Sequence, residues 1–203
     1  MNEVTVSVKD QDSFIKTLRN VTAESHQNLE DNPISRALLD PDVTLANYQL
    51  YLSKIYGVIL ACEKQIFPLL TDIVPDLGER HKSHLIIKDL EATGLPAQDI
   101  AALPLHQFEF NGISEAMGIM YVLEGSTLGG KIIFKHIHEK LGLTPETGAA
   151  YFWGYGTQTG ILWKSFISVF TQFADNSNDQ PGIIESAKQT FTVIDNWLSG
   201  RNS

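Results

Sequence analysis

His26 is the residue of this chain whose type and setting best suit chemistry. An imidazole can ligate a metal through one ring nitrogen while an acceptor holds its other N–H. Glu30 follows one helical turn later on the same side, where a carboxylate can accept that N–H directly or through water. Arg19 lies two turns back along the same face, roughly 10 Å away at 1.5 Å per residue. A lone histidine on an apolar helix face is also often a satisfied core residue. From the residues alone, ligand and core side chain both stay open.

A second pattern is a helix with side chains missing. Glycine inside a helix costs about 0.5–1 kcal/mol relative to alanine. Gly118, Gly125, Gly129 and Gly130 all fall in one helical stretch, and the steps from Gly118 to Gly125 to Gly129 return to one face. Tyr121 shares that face. Two readings remain open: close packing against another helix, or a backbone that must come nearer to a flat ligand than any side chain would permit.

Other candidates are weaker. His81 and His84 sit one turn apart, but no third ligand is near them in sequence, and a solvated face explains them. His136 and His138 diverge around their helix. No Glu-x-x-His occurs, which argues against a di-iron carboxylate bundle. Nucleophile elbow, phosphate loop and zinc motif are all missing from the sequence. Cys62 has no cysteine to pair with and reads as a small buried apolar residue in a reducing cytoplasm.

The elements that must position these residues are helical. Apolar spacing predicts helices over residues 13–29, 45–70, 77–92, 114–140, 158–173 and 183–198. Ile15, Leu18, Thr22, His26 and Leu29 form one face of the first; Tyr48, Leu52, Ile55, Ile59 and Cys62 mark the second. Pro33, the Asp40-Pro41-Asp42 cluster and Pro75 break the chain, and Gly94 and Gly142 act as stop signals. A bend is expected at Gly129-Gly130. Residues 151–156, rich in glycine and aromatics, read as a loop. Residues 1–12 read as a flexible arm preceding one all-α domain over 13–203, since no strand alternation or interdomain linker is seen.

The chain's 203 residues are enough to bury a core. A net charge of -9 argues against nucleic acid as the main partner, because phosphate binding needs a basic surface. No apolar run reaches the roughly 20 residues that span a bilayer.

Three segments together resemble the heme oxygenase family. Residues 18–30, Leu-Arg-Asn-Val-Thr-Ala-Glu-Ser-His-Gln-Asn-Leu-Glu, resemble its proximal helix. Residues 121–130, Tyr-Val-Leu-Glu-Gly-Ser-Thr-Leu-Gly-Gly, resemble its distal helix in bacterial form. Gly154-Tyr155-Gly156, followed by Thr159-Gly160-Ile161-Leu162-Trp163-Lys164, is similar to that branch too. The likeness spans about residues 13–198. It implies a multihelical fold with heme held between a proximal and a distal helix.

Carried over residue by residue, the resemblance makes His26 the iron ligand and Glu30 its supporting carboxylate. It sets Arg19, Tyr121 and Lys164 near the heme propionates and makes Gly125 and Gly129 the distal backbone. Ser126 stands where animal members carry an aspartate that organises water, and Ser168 where they carry another basic residue. The implied activity is oxygen-dependent cleavage of heme, here both cofactor and substrate, to biliverdin, ferrous iron and carbon monoxide. Molecular oxygen would be the co-substrate. Electrons would come from a ferredoxin or a reductase, and a bile-pigment acceptor would be a further partner. Lys131, Lys135 and Lys140, with His136 and His138, form the one basic cluster; it reads either as a docking site for an acidic donor or as a solvated helix face. Ser126 motivates an alternative, a heme-binding or sensing protein without oxygenation. A non-heme relative of the same fold and a purely structural helix-packing protein are the others.

Overall fold

In this computed structural model residues 8–201 are described, with side chains from residue 13 onward. The first helix, α1, runs Val8–Asp31. It already includes residues 8–12 of the expected arm; residues 1–7 lie outside those described. A single turn, α2 (Pro33–Arg36), follows, capped by the Asn32 side chain, which accepts from the Ile34 N–H. The other helices are α3 (Leu45–Ala61), α4 (Phe67–Leu70), α5 (Ser83–Ala92), α6 (Ala97–Ala101), α7 (Ile113–Leu141), α8 (Ala150–Trp153), α9 (Thr159–Ser177) and α10 (Gln180–Ser199). No strand occurs among the described residues. The expected all-α class is the one observed.

Each long helix begins or ends where its sequence dictates. Thr44 and Asn47 form a reciprocal capping box at the start of α3. The predicted helix over 45–70 is continuous but not uniform: a π turn at Cys62–Ile66 separates α3 from α4, with the Phe67 N–H bonding to the Cys62 carbonyl. Pro68 explains the change, because it has no N–H for the residue four before it and crowds that carbonyl. Glu63, on the π turn, accepts from the Lys82 and Ser83 N–H groups at 2.6 and 2.8 Å and so caps α5 from a distance.

α7 is buried on every side from Ala116 to Glu124 and continues as one helix through Gly125, Gly129 and Gly130. No break appears at the glycine pair. Gly142, at φ 70°, ends it in the left-handed conformation, its N–H bonding to the His138 carbonyl. The gap left between the helices predicted over 158–173 and 183–198 is mostly helical: α9 reaches Ser177 and α10 starts at Gln180, with Asn178 at φ 55° making the turn. Polar residues there are solvated helix ends.

α10 packs most extensively, against both α7 and α1. Gly118 permits the α7 contact: a Cβ there would lie 2.6 Å from the Ile183 carbonyl oxygen and 2.8 Å from the Ser186 Cβ. At the crossing, the Ser186 hydroxyl donates to the Glu115 carbonyl at 2.7 Å. α10 thus holds α1 and α7 together at one end and spaces them at the other.

Candidate heme-binding cavity

Between α1 and α7 lies a cavity of about 590 Å³. That size is in the range of small-molecule sites, roughly 300–1,000 Å³. α1 forms one wall with Arg19, Thr22, Ala23, His26 and Glu30, and α7 forms the other with Gly125, Ser126, Leu128 and Gly129. Phe191 and Ile194 of α10 and Ile55 and Ile59 of α3 add apolar surface.

His26 is half-exposed, on the cavity side of α1, and its ring meets the edge of Phe191 at 5.1 Å between centroids. The core reading of this histidine is therefore set aside. Glu30 Oε1 lies 3.6 Å from His26 Nε2. That is too long for the direct form of the expected contact, and of the two forms it fits the one through water. Arg19, also exposed, lines the same cavity as Tyr121 and stands near enough to it to act on its phenol. Burial raises the Tyr121 pKa and Arg19 offsets part of that rise. Tyr121 stacks on Phe170 at 5.2 Å and lies 5.8 Å from Trp163.

The α7 glycines, read as one face, divide by what covers them. Gly118 belongs to the α10 contact and takes no part in the cavity, so of its two open readings it takes close helix packing. A Cβ at Gly130 would lie 3.4 Å from the Phe152 carbonyl oxygen, although Gly130 too borders the cavity. At Gly129 a Cβ would meet nothing within 4 Å, and at Gly125 only the Trp163 ring at 3.6 Å. Packing accounts for the first glycine and not for these two. Ser126 lines the cavity, but its hydroxyl donates back to the Leu123 carbonyl at 2.7 Å.

Lys164 is exposed and does not line the cavity; its neighbour Trp163 does. Consecutive helical positions lie about 100° apart. If the ring of Trp163 faces inward, Lys164 must point elsewhere. Ser168 is likewise exposed and outside the lining. His81 packs on Phe67 and meets Glu63 at 3.3 Å, and no group of three or more metal-ligating side chains occurs among the described residues. Lys131, Lys135 and Lys140 are exposed on α7.

A buried ionic cluster, not foreseen from sequence, stands beside the α7 wall. Glu124, 1% exposed, pairs with Arg80 through one oxygen. Its other oxygen accepts from Lys82 at 2.7 Å and from the Tyr155 hydroxyl at 2.8 Å. Lys82 also donates to Tyr155 at 2.7 Å. Arg80 makes a two-pronged contact with Asp76 and donates to the Leu162 carbonyl at 3.1 Å. Burial pushes the Tyr155 phenol well up, and Glu124 pushes it further, so it stays protonated as a donor. Gly154 and Gly156, at φ 55° and 56°, supply the backbone that turns Tyr155 toward this cluster. One signal was present in the sequence: a carboxylate in an otherwise apolar stretch of α7 must find a cation. Nothing in the sequence said which.

The family model for heme oxygenase matches residues 12–199. Among solved structures, the chain is similar to the heme oxygenase of Neisseria meningitidis, solved with NO and CO bound. That match has a TM-score of 0.73 and 22% identity, covering 93% of this chain and 91% of the other. The heme oxygenase of Leptospira interrogans gives 0.75 and 17%, covering 93% and 99%. Heme oxygenase-1 of the cyanobacterium Synechocystis, solved in complex with heme, gives 0.74 and 14%, covering 92% and 91%. No curated protein matches the chain. No described helix is long and apolar enough to cross a membrane. With the family model covering nearly its whole length, this chain belongs to the heme oxygenase family.

Proposed function

We propose that the protein binds heme in this cavity and cleaves it to biliverdin, ferrous iron and carbon monoxide, using molecular oxygen and electrons from a partner such as a ferredoxin or a reductase. The observation that carries the reading is that His26 and the uncovered backbone of Gly125 and Gly129 line opposite walls of one cavity. A flat macrocycle fits a slot with an imidazole on one wall and two glycines on the other.

Bound heme supplies both the iron at which oxygen is activated and the ring that is opened. The chain's own residues do the rest. His26 ligates, and Glu30 sets the charge around its ring. Arg19, on the cavity wall, offers a cation to the acid groups of the ligand and so fixes its rotation in the plane. Lys164 reaches those groups only from outside the cavity lining. Gly125 and Gly129 admit oxygen to a narrow space and limit how it lies. The apolar side chains of α3 and α10 exclude water. Lys131, Lys135 and Lys140 offer an acidic electron donor a docking surface. A cytoplasmic location, and a bile-pigment acceptor for the product, complete the proposal.

Ser126 carries a second reading. Its hydroxyl proton is already given to Leu123, so it adds no donor to the cavity. A heme-binding or sensing protein without oxygenation would look the same there. Optical titration separates the readings. The proposal expects a one-to-one heme complex whose spectrum passes to that of a bile pigment when reductant is added under air. His26→Ala is expected to lose the native axial-ligand spectrum. Binding without pigment, given a competent donor, would favour the sensor; no binding would rule out both.

A further inference from the structure

Among the residues lining the cavity, Lys82 is the one buried charge. Arg19, His26 and Glu30 are exposed, whereas Lys82 is 5% exposed. Its ammonium is fixed by Glu124 Oε1 and the Tyr155 hydroxyl, each at 2.7 Å. An ammonium carries three N–H donors, so these partners leave one. Lys82 lines the cavity and is fastened to Glu124 of α7, so the cation belongs to the α7 side, opposite His26 on α1. The cluster balances: Arg80 and Lys82 stand against Glu124 and Asp76. Without the Lys82 charge, a net negative charge would remain beside the cavity. Ser126 provides no donor in its place.

We propose that Lys82 is the anion-favouring group of the α7 wall: its charge and its remaining N–H draw a small anionic ligand, or negative charge developing on a bound one, to that side of the cavity. The inference rests on the heme reading and adds to it a residue far in sequence from the segments that carry the family resemblance. It is a charge preset before any ligand arrives, which is what makes such a group effective in a site shielded from water.

The test uses the full chain loaded with heme, with the complex first verified for the wild type by its optical spectrum. Azide affinity is measured on the ferric protein and carbon monoxide affinity on the ferrous protein, for wild type, Lys82→Met, Lys82→Gln and Lys82→Arg. Loss of the charge is expected to weaken azide about tenfold. Binding of carbon monoxide, which is neutral, should stay within about twofold, since only the charge term is removed. Lys82→Arg should keep the wild-type preference. Azide and carbon monoxide falling together, or azide unchanged in Lys82→Met and Lys82→Gln, would overturn the proposal and leave the heme reading intact. Failure of both neutral variants to fold would overturn it in favour of a lysine that only holds Glu124. No heme complex in the wild type would overturn both.

Discussion

Gly118 and Gly129 lie about three turns apart on α7, and the same atom would have opposite effects at the two. A Cβ at Gly118 would sit 2.6 Å from a backbone oxygen of α10, which cannot move without shifting that helix. Gly118→Ala is therefore expected to destabilise the protein by about 1–3 kcal/mol. At Gly129 a Cβ meets nothing within 4 Å. Gly129→Ala is expected to stabilise the empty protein by about 0.5–1 kcal/mol, the helix-propensity gain, while weakening heme binding. Thermal melts of the two variants without heme check the opposite signs. Sequence periodicity put both glycines on one face, and they are. Periodicity does not say what covers each length of a face, so it did not separate them. The same limit explains Lys82 and Tyr155. They precede or follow short irregular segments and meet Glu124 only through folding. His26, Arg19 and Tyr121 could be placed on their helices from sequence because α1 and α7 are long and their spans were readable.

Elements in this fold are fastened to one another by side chains from distant turns. Glu63 shows how: from the π turn it accepts from the first N–H groups of α5 and from the Ser83 hydroxyl. Burial alone would raise its pKa; the hydrogen bonds from Ser83, from both backbone N–H groups and from His81 bring it below the usual glutamate value. A carboxyl with a depressed native pKa adds stability above its unfolded pKa and loses it as pH falls through the native value. Glu63→Gln is therefore expected to lower stability by about 1–2 kcal/mol at pH 7. The difference from wild type should shrink as the solution is acidified below the ordinary glutamate range. Denaturant unfolding of both proteins across that range checks it; a gap independent of pH would contradict the ionic origin. The long helices could be read from sequence within a few residues at most ends. The π turn and the single-turn helices could not. α8, for instance, is held by Asp89, which accepts from the Ala150 and Tyr151 N–H groups, each at 2.8 Å.

At the scale of the molecule, the cavity lies between two of the longest helices, α1 and α7. Its lining is largely apolar, so an occupant that fills it restores contacts that the empty protein lacks. Ligand at about a hundred times its Kd adds ~2.7 kcal/mol to the native state. For a chain of this size that corresponds to a rise in Tm of roughly 5–10 °C. The rise should be smaller for His26→Ala at the same heme concentration. Scanning calorimetry with and without heme measures it, and an unchanged Tm would mean that the cavity is not where heme goes.

α7 also has a meaning for other chains built on this plan. At Gly118 it answers to α10 and at Gly125 and Gly129 it faces the slot, so the two halves meet different physical demands. A descendant that keeps a glycine at 118 and acquires side chains at 125 and 129 would inherit the architecture and forfeit the guest. One that keeps all three would remain open to it. Those positions make α7 a record in which retention of the scaffold and retention of the ligand can be told apart.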